Sequence, residues 1–242
     1  MLDLARGPLL VGVADRPAAL ARYAALAPDT RVADLVEARL DLFQAPTLDG
    51  CRDACARLEA AGTPVLITIR TAAQGGRFGA GEAERLGRFR EALVVASWAD
   101  VEDDAPIAGE VAALAGARPG GQIVVSHHDF ALTPPLDALL AIGDRCRIVP
   151  GAIAKLATAV RGEGDRGALR ELIARRPDRT CVIGMEPDDK LRVELPARGS
   201  LFAYGYLDQP TAPGQLSAAD THARLLAASP AYAARKSVRA VG

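Results

Sequence analysis

The feature that most constrains the fold of this chain is an alternation along its whole length. Short, apolar, β-branched runs alternate with longer stretches rich in Ala, Leu, Arg and Glu, a pattern typical of βα units that feed a parallel sheet. The strand candidates are Leu9 to Val13, Asp34 to Glu37, Val65 to Ile69, Trp98 to Val101, Gln122 to Ser126, Gly151 to Leu156, Thr180 to Gly184 and Leu201 to Tyr204. Helical stretches such as Glu82 to Ala96, Asp165 to Arg175 and Ser217 to Ala228 lie between or after them.

Eight such units favour a closed barrel over an open, doubly wound sheet. An open sheet usually has fewer strands and carries a glycine-rich nucleotide turn, and no G-x-G-x-x-G follows the first apolar run. The 242 residues supply about 30 residues per unit, which suits a barrel of this class. We therefore predict a (β/α)₈ TIM barrel that occupies residues 1–242 as one domain, with residues 235–242 as a flexible tail.

Charge and composition exclude several classes of partner. The 29 Lys and Arg residues nearly balance the 30 Asp and Glu residues, and no basic block of the kind that binds nucleic acid or anionic lipid is present. No stretch has the length and apolarity of a membrane span, and Asp3 and Arg6 interrupt the N-terminus where a secretory signal would be apolar. We expect a cytoplasmic protein whose cysteines are reduced and packed in the interior; they are Cys51, Cys55, Cys146 and Cys181.

Ionisable residues follow several of the apolar runs, at the strand ends where barrels place their active sites. The second run continues as Glu37-Ala38-Arg39-Leu40-Asp41, and the two-residue period of a strand puts Glu37, Arg39 and Asp41 on one face. A structural ion pair at a strand end is the alternative explanation of this face. The third run ends in Arg70, which taken alone is more typical of a surface charge in a loop than of a functional residue.

Two of the three histidines directly follow the fifth apolar run, in Ser126-His127-His128-Asp129. An imidazole titrates near neutral pH, which suits a general acid and base, although a lone histidine is often only a hydrogen-bonded polar group. A metal site would need a third ligand. The remaining histidine, His222, lies in a helical stretch without a metal-binding motif, so we predict no metal.

Lys155 lies inside the sixth run, which is otherwise wholly apolar from Gly151 to Ala157. Burial and nearby positive charge lower the pKa of a lysine, and the neutral amine is a nucleophile that attacks a ketone to form an iminium. The structural alternative is a lysine that is ion-paired or extends its ammonium to solvent. We predict a Schiff-base lysine, because the interiors of apolar strands rarely contain Lys.

Several short motifs occur in a fixed order along the chain. They are Glu37-Ala38-Arg39-Leu40-Asp41, Arg70 with Gly75-Gly76, Ser126-His127-His128-Asp129-Phe130, Ala152-Ile153-Ala154-Lys155-Leu156-Ala157, Met185, Arg192 and Thr211-Ala212-Pro213-Gly214-Gln215. In this order the motifs resemble those of the type I 3-dehydroquinate dehydratase family, from the first strand to the last helix. The resemblance aligns His128, rather than His127, with the catalytic histidine of that family.

The resemblance implies a lyase of the shikimate pathway that converts 3-dehydroquinate, a small carboxylate, to 3-dehydroshikimate. Lys155 would form the Schiff base, with His128 as general acid and base. Arg192 would bind the carboxylate with help from Thr211 and Gln215, while Glu37, Arg39 and Arg70 would hold the ring hydroxyls. Met185 would support the site. Neither a metal nor an organic cofactor is implied, and relatives often form homodimers.

The chain departs from the family pattern at three places. Gln74 stands where the family has a glutamate that partners the catalytic histidine, and Gly12 stands where relatives place a serine near the substrate. The segment after Lys155 lacks the usual Met-Pro. These departures leave open a ligand-binding barrel that lacks activity.

A class I aldolase is a further alternative, since it uses the same barrel and the same kind of lysine. The stretch from Met185 to Asp189 is acidic, however, where a glycine-rich phosphate site would be expected. A phosphate site would decide in favour of the aldolase.

Overall fold

The computed structural model describes residues 2–45, 47–212 and 214–239. Within them the strands are β1 (Leu9–Ala14), β2 (Leu35–Arg39), β3 (Val65–Thr68), β4 (Trp98–Glu102), β5 (Gln122–Asp129), β6 (Ile153–Ala159), β7 (Thr180–Met185) and β8 (Phe202–Tyr206). The α-helices are α1 (Pro17–Ala25), α2 (Arg52–Ala60), α3 (Glu82–Ala92), α4 (Ala108–Gly116), α5 (Leu136–Cys146), α6 (Glu163–Arg175), α7 (Lys190–Ala197), α8 (Ala218–Ala228) and α9 (Pro230–Arg239). Short 3-10 helices span Pro28–Thr30, Leu40–Leu42 and Ala72–Gln74.

The strands form one parallel sheet in the order β7-β6-β5-β4-β3-β2-β1-β8. Its two ends approach each other, because the Leu201 N–H just before β8 donates to the carbonyl of Thr180 in β7 at 2.8 Å. The sheet is thus a nearly closed barrel surrounded by helices, and the predicted (β/α)₈ TIM barrel is confirmed. Strands β5 and β6 end later than predicted, at Asp129 and Ala159, and the parallel ladder between them continues through the pairs of His128 with Ala157 and Asp129 with Thr158.

Alternate residues of each strand pack into two separate apolar regions, as the two-residue period requires. Leu10 and Val36 belong to the larger region, between the sheet and the helices, whereas Val11 and Leu35 point into the barrel. The N-terminal part of the barrel interior is filled by large apolar side chains, namely Leu9, Leu35, Leu66, Trp98, Val124, Ile153 and Phe202, together with Cys181. This apolar floor fills one end of the barrel, and the described residues leave a cavity at the C-terminal ends of the strands.

The last helix corrects the predicted tail at residues 235–239. These residues continue α9, where the buried Arg235 donates to the carbonyl of Gly7 at 3.0 Å. Lys236 Nζ lies 2.8 Å from Asp34 Oδ1 near the N-terminal end of β2. A basic sequence suggested a mobile tail, but these side chains are bonded to the bottom of the barrel. Residues 240–242 lie outside the described residues.

All four cysteines are buried and carry free thiols, as predicted. In the described part of the chain no helix is both long and apolar enough to cross a membrane.

Candidate active site

A layer of polar and charged side chains lies directly above the apolar floor of the barrel. Its members follow the floor residues by two or four positions on their strands, so they point to the same interior face. They are Glu37 and Arg39 on β2, Thr68 on β3, Arg70 just after it, Asp100 and Glu102 on β4, Ser126 and His128 on β5 and Lys155 on β6. Burying so many ionisable groups costs free energy unless they are paired, and their pairing defines the site.

Lys155 is 4% exposed, and its ammonium group is bonded to carboxylates inside the barrel. Its Nζ donates to Asp100 Oδ2 at 2.9 Å and lies 3.9 Å from Glu37 Oε1. The same Nζ lies 4.6 Å from the ring centroid of Tyr204, where the ring face attracts a cation. The buried ammonium group of Lys155 is therefore held in an ion pair with Asp100.

Asp100 is the centre of the charged layer. Its Oδ1 accepts hydrogen bonds from Arg70 Nη2 at 2.7 Å and from Ser126 Oγ at 2.6 Å, while Lys155 occupies Oδ2. Burial by itself would raise the pKa of the Asp100 carboxyl, but the charges of Arg70 and Lys155 outweigh burial and hold that pKa well below its usual range. Asp100 therefore stays ionised and fixes two cations on different strands.

The two consecutive histidines lie on opposite faces of β5. His128 lines the barrel interior, whereas His127 Nδ1 lies 3.1 Å from Asp103 Oδ1 on the outside. Burial, together with the positive charges of Arg70 and Lys155, lowers the pKa of His128 well below its ordinary value. His128 is therefore a neutral imidazole at neutral pH, and it can accept a proton.

Gln74 contacts His128 from the 3-10 helix after β3. Its Oε1 accepts a hydrogen bond from the backbone N–H of His128 at 3.0 Å and lies 3.3 Å from His128 Nδ1. The next residue, Gly75, has a φ of +79°, and a Cβ there would overlap the ring of Phe130 at 2.3 Å. A glycine is thus required at the position where Phe130 packs over the loop beside His128.

The predicted charged face of the second strand exists, although Asp41 lies beyond the strand in a 3-10 helix. Arg39 donates to both carboxylate oxygens of Asp41, at 2.9 and 2.8 Å. Glu37 Oε1 accepts from Thr68 Oγ1 at 2.7 Å. The Arg39 guanidinium is thereby oriented by a bidentate contact, which leaves part of its fork available to a ligand.

Arg192 and the loop after β8 also line the site. Arg192 lies in the first turn of α7 and is 8% exposed, and burial lowers the pKa of its guanidinium against the opposing charges of Glu186 and Asp189. In the loop, Thr211 donates to Gln215 Oε1 through both its N–H, at 2.7 Å, and its hydroxyl, at 2.9 Å. Pro213, which belongs to the predicted lid motif, lies outside the described residues.

One cavity at the C-terminal ends of the strands collects nearly all of the predicted site residues. It is lined by Glu37, Arg39, Arg70, Gln74, His128, Lys155, Met185, Arg192, Thr211 and Gln215, together with Val13, Gly75, Phe130, Ala157, Ile183, Tyr204 and Ala212. Within the described residues, no group of three or more His, Cys, Asp or Glu side chains is arranged to hold a metal ion. The cavity offers an amine, an imidazole and several guanidinium groups, which suits a small, oxygen-rich anion.

The model of the type I 3-dehydroquinase family matches residues 13–228. The chain belongs to this family. A 3-dehydroquinate dehydratase of Methanocella arvoryzae is 34% identical over 185 residues, which are 76% of this chain and 82% of that protein. One of Methanothrix thermoacetophila is 32% identical over 199 residues, covering 81% of this chain and 83% of the relative.

A solved structure is also similar in fold. The crystal structure of the 3-dehydroquinate dehydratase from Aquifex aeolicus VF5 superposes with a TM-score of 0.77, covering 90% of this chain and 98% of that chain at 21% identity. At this identity the likeness concerns the barrel alone. The resemblance of the motifs to the type I 3-dehydroquinase family is confirmed by the family model and by the relatives.

Gly12 does not face the cavity of this type I 3-dehydroquinase, contrary to its prediction as a supporting residue. A Cβ at Gly12 would point away from the barrel interior, to 2.8 Å from Leu207 Cδ2 and 3.1 Å from the Cβ of Ala33. The neighbouring Val13 lines the cavity instead, because successive residues of a strand point to opposite faces. A serine side chain at position 12 would therefore point away from the cavity, toward Leu207 and Ala33.

Sequence reasoning missed Asp100, Glu102 and Tyr204 in this type I 3-dehydroquinase. The signal for the two acidic residues was present, since Trp98-Ala99-Asp100-Val101-Glu102 places its polar residues at alternate positions, as β2 does. Glu102 binds the buried Arg85 through Oε2 and accepts from the Thr71 N–H through Oε1 at 2.9 Å. Glu102 thus anchors the start of the loop that carries Gln74. Tyr204 gave no signal, because an aromatic residue in a strand is usually core.

Proposed function

We propose that this type I 3-dehydroquinase dehydrates 3-dehydroquinate to 3-dehydroshikimate, with Lys155 as the Schiff-base residue and His128 as the general acid and base. The observation that supports this most strongly is the meeting of Lys155, His128 and Arg192 at one cavity in a member of this family. The relatives in two archaea bear the name of that enzyme.

The first step is imine formation. Lys155 must release a proton before its amine can attack the ketone carbon, and the neutral His128 beside the same cavity is a suitable acceptor. The carbinolamine formed by this attack loses its hydroxyl, which takes the proton back from His128 and leaves as water. The product is an iminium, and His128 is again a neutral base. The iminium carries the positive charge that the ammonium carried, so the contact of Nζ with Asp100, at 2.9 Å in the resting protein, stabilises it without rearrangement.

The second step is the elimination. The iminium acts as an electron sink that acidifies the adjacent carbon, and His128 removes a proton from that carbon to give an enamine. The enamine electrons then expel the neighbouring hydroxyl, to which His128 returns its proton, so that water leaves. Attack of water on the conjugated iminium finally releases 3-dehydroshikimate and restores the Lys155 amine.

Substrate binding follows from the charges of the cavity. Arg192 offers a planar pair of donors to the substrate carboxylate, with Thr211 and Gln215 beside it. Arg70 and Arg39 are each already oriented by a carboxylate, Asp100 and Asp41, and with Glu37 they would hold the ring hydroxyls. Pre-oriented donors of this kind lower the entropic cost of placing the reacting carbons near Lys155 and His128.

Two properties of the whole molecule remain expectations. We expect residues 1–242 to form a single catalytic domain, of which residues 13–228 match the family model. A homodimer is expected from the resemblance, and sedimentation analysis of the purified protein would decide between monomer and dimer.

The proposed activity is tested by adding 3-dehydroquinate to the purified protein and following the ultraviolet absorbance of the conjugated enone of the product. A steady rise that is abolished in the Lys155→Ala variant is the expected result. No rise over hours at high enzyme concentration would contradict the proposal and favour a binding barrel without activity. The exposed Lys190 supplies a matched control, since Lys190→Ala should leave the rate unchanged.

A further inference from the structure

Two carboxylates without a role in the proposed reaction, those of Asp103 and Asp104, lie next to the side-chain amide of Gln74. The Gln74 amide nitrogen lies 3.0 Å from Asp104 Oδ1 and 3.5 Å from Asp103 Oδ1. On its other side the amide oxygen contacts the backbone N–H and Nδ1 of His128. The amide therefore links the imidazole inside the barrel to an acidic pair on the loop after β4.

The contacts at the two ends of the amide determine which tautomer His128 adopts. The backbone N–H of His128 can only donate, and ionised carboxylates can only accept, so both ends require the amide oxygen to face His128. An oxygen at 3.3 Å from Nδ1 is an acceptor, so Nδ1 carries the ring proton of the neutral imidazole. The other ring nitrogen, Nε2, is then left unprotonated and can act as the base.

Asp103 is held firmly in place by groups outside the barrel. Its side chain is 3% exposed, and it lies 2.9 Å from Arg145 Nη2 and 3.1 Å from His127 Nδ1. Burial alone would raise the pKa of Asp103, but His127 and Arg145 outweigh burial and lower it, so the carboxylate is ionised at neutral pH. Asp104 follows it in sequence and is exposed, with the shorter contact to Gln74.

We propose that Asp103 and Asp104 are positioning residues, which act through the Gln74 amide to hold His128 as the Nδ1–H tautomer and to stabilise its protonated form during turnover. The proposal rests on the proposed function, since it assigns these residues to the same histidine. The negative charges of Asp103 and Asp104 lie next to the Gln74 amide nitrogen and polarise the amide. The amide oxygen thereby becomes a stronger acceptor for the His128 ring N–H. The acidic pair thus supplies, one residue further away, the charge that a carboxylate at position 74 would supply directly.

The two carboxylates beside position 74 favour an amide there over a carboxylate. A glutamate there would place a carboxylate where the amide nitrogen now lies, 3.0 Å from Asp104 and 3.5 Å from Asp103. Like charges at that separation repel, and one of them would have to be neutralised. Gln74→Glu alone is therefore harmful here, while Gln74→Glu combined with Asp104→Asn has a donor amide facing the new carboxylate and recovers activity.

The kinetic test compares Asp104→Asn, Gln74→Glu and the double variant with the parent protein in the enone assay. Each single variant should lower kcat about 10-fold with KM within about 2-fold, because the lost interaction is made by the base and not by the bound substrate. The double variant should recover most of the lost kcat. Asp137→Asn, which changes an exposed carboxylate at the start of α5, is the matched control and should leave kcat unchanged.

A spectroscopic test needs no turnover. The chain contains three histidines, so the ¹⁵N spectrum of histidine-labelled protein is simple, and the two nitrogens of a neutral imidazole differ in shift according to which carries the proton. We expect the Nδ1–H form of His128 in the parent protein and a mixture of tautomers when both Asp103 and Asp104 are changed to Asn.

The two tests separate this proposal from the proposed function. An unchanged kcat in Asp104→Asn, a gain of kcat in Gln74→Glu alone, or a double variant worse than either single one would overturn the role of the acidic pair. So would an Nε2–H form of His128 in the parent spectrum. A parent protein without enone formation would instead contradict the dehydratase, and the spectrum would still decide the tautomer.

Discussion

Lys155 on β6 and Arg70 after β3 share a single carboxylate, Asp100 on β4, with contacts of 2.9 and 2.7 Å to its two oxygens. The three side chains are almost fully buried, so the carboxylate compensates two cations in a region of low dielectric. One aspartate thereby fixes the Schiff-base residue proposed here and a proposed substrate-binding arginine.

Asp100→Asn should lower the free energy of unfolding by about 3 to 5 kcal/mol, because it leaves buried charge on Arg70 and Lys155 without a compensating carboxylate. Urea denaturation followed by the fluorescence of Trp98, the chain's single tryptophan, measures the change. Asp144→Asn removes an exposed partner of Arg176 and should cost less than about 1 kcal/mol. Equal losses in the two variants would contradict the structural role of Asp100.

The stability that the ionised Asp100 contributes should depend on pH in a defined direction. Its folded-state pKa is depressed, so the contribution is complete above the unfolded value of about 3.9 and is lost as the pH falls toward the folded value. The advantage of the parent protein over Asp100→Asn should therefore be constant above about pH 5 and shrink below about pH 3.9. An advantage that first shrinks near neutral pH would assign the titration to another group.

The lowered pKa of His128 gives a linkage of the same sign as that of Asp100, but at a higher pH. Its folded-state pKa lies well below the unfolded value of about 6.5, so the unfolded chain binds a proton there that the folded chain does not. Between pH 7.5 and 5.5 the parent protein should lose about 1.4 kcal/mol more stability than His128→Asn does. Denaturation at the two pH values measures this difference, and an equal loss would mean that His128 is charged in the folded protein.

Much of the fold could be predicted because it depends on local pattern. Each strand of this barrel is covered on both faces, so apolar β-branched runs marked all eight positions, and errors were confined to strand ends such as those of β5 and β6. The end of α9 was misjudged for a different reason. Lys236 bonds to Asp34 and Arg235 to the carbonyl of Gly7, and contacts between distant parts of a sequence leave no local signal.

The residues of the candidate site likewise include some that a local sequence pattern reveals and others that it does not. Lys155 and His128 were predicted because an ionisable residue is conspicuous in an apolar strand, and the family motifs supplied Arg192 and the loop residues. Gly12 was expected near the substrate, but the two-residue period of β1 directs Gly12 away from the cavity and Val13 toward it. Asp103 and Asp104, which contact the Gln74 amide nitrogen, lie on the loop after β4. Their proximity to Gln74 is visible in the three-dimensional structure but not in the sequence.

The orientation of Gly12 leads to a prediction about Gly12→Ser, which introduces the residue expected from relatives. The new Cβ would lie 2.8 Å from Leu207 Cδ2, so the substitution should destabilise the protein by about 1 to 3 kcal/mol while changing KM less than about 2-fold. Val13→Ser, one residue further and facing the cavity, is the comparison variant and should raise KM. A large fall in KM for Gly12→Ser would place residue 12 at the substrate.

Arg192→Ala should raise KM for 3-dehydroquinate by about 10-fold or more, since a charge-assisted bond to a carboxylate contributes about 1.5 to 3 kcal/mol. Arg192→Lys keeps the positive charge but loses the bidentate geometry. Its KM should therefore lie between that of the parent protein and that of Arg192→Ala. Arg198→Ala, which removes an exposed arginine just after α7, serves as the control. An unchanged KM in Arg192→Ala would locate the anion site elsewhere.

Reductive trapping tests whether Lys155 forms a covalent imine with the substrate. Borohydride added during turnover reduces an imine to a stable secondary amine, which peptide mass spectrometry then locates in the sequence. We predict one modified lysine, Lys155, and no modification in Lys155→Ala. Turnover of 3-dehydroquinate without any trapped adduct, or an adduct on a different lysine, would contradict the role of Lys155 as the Schiff-base residue.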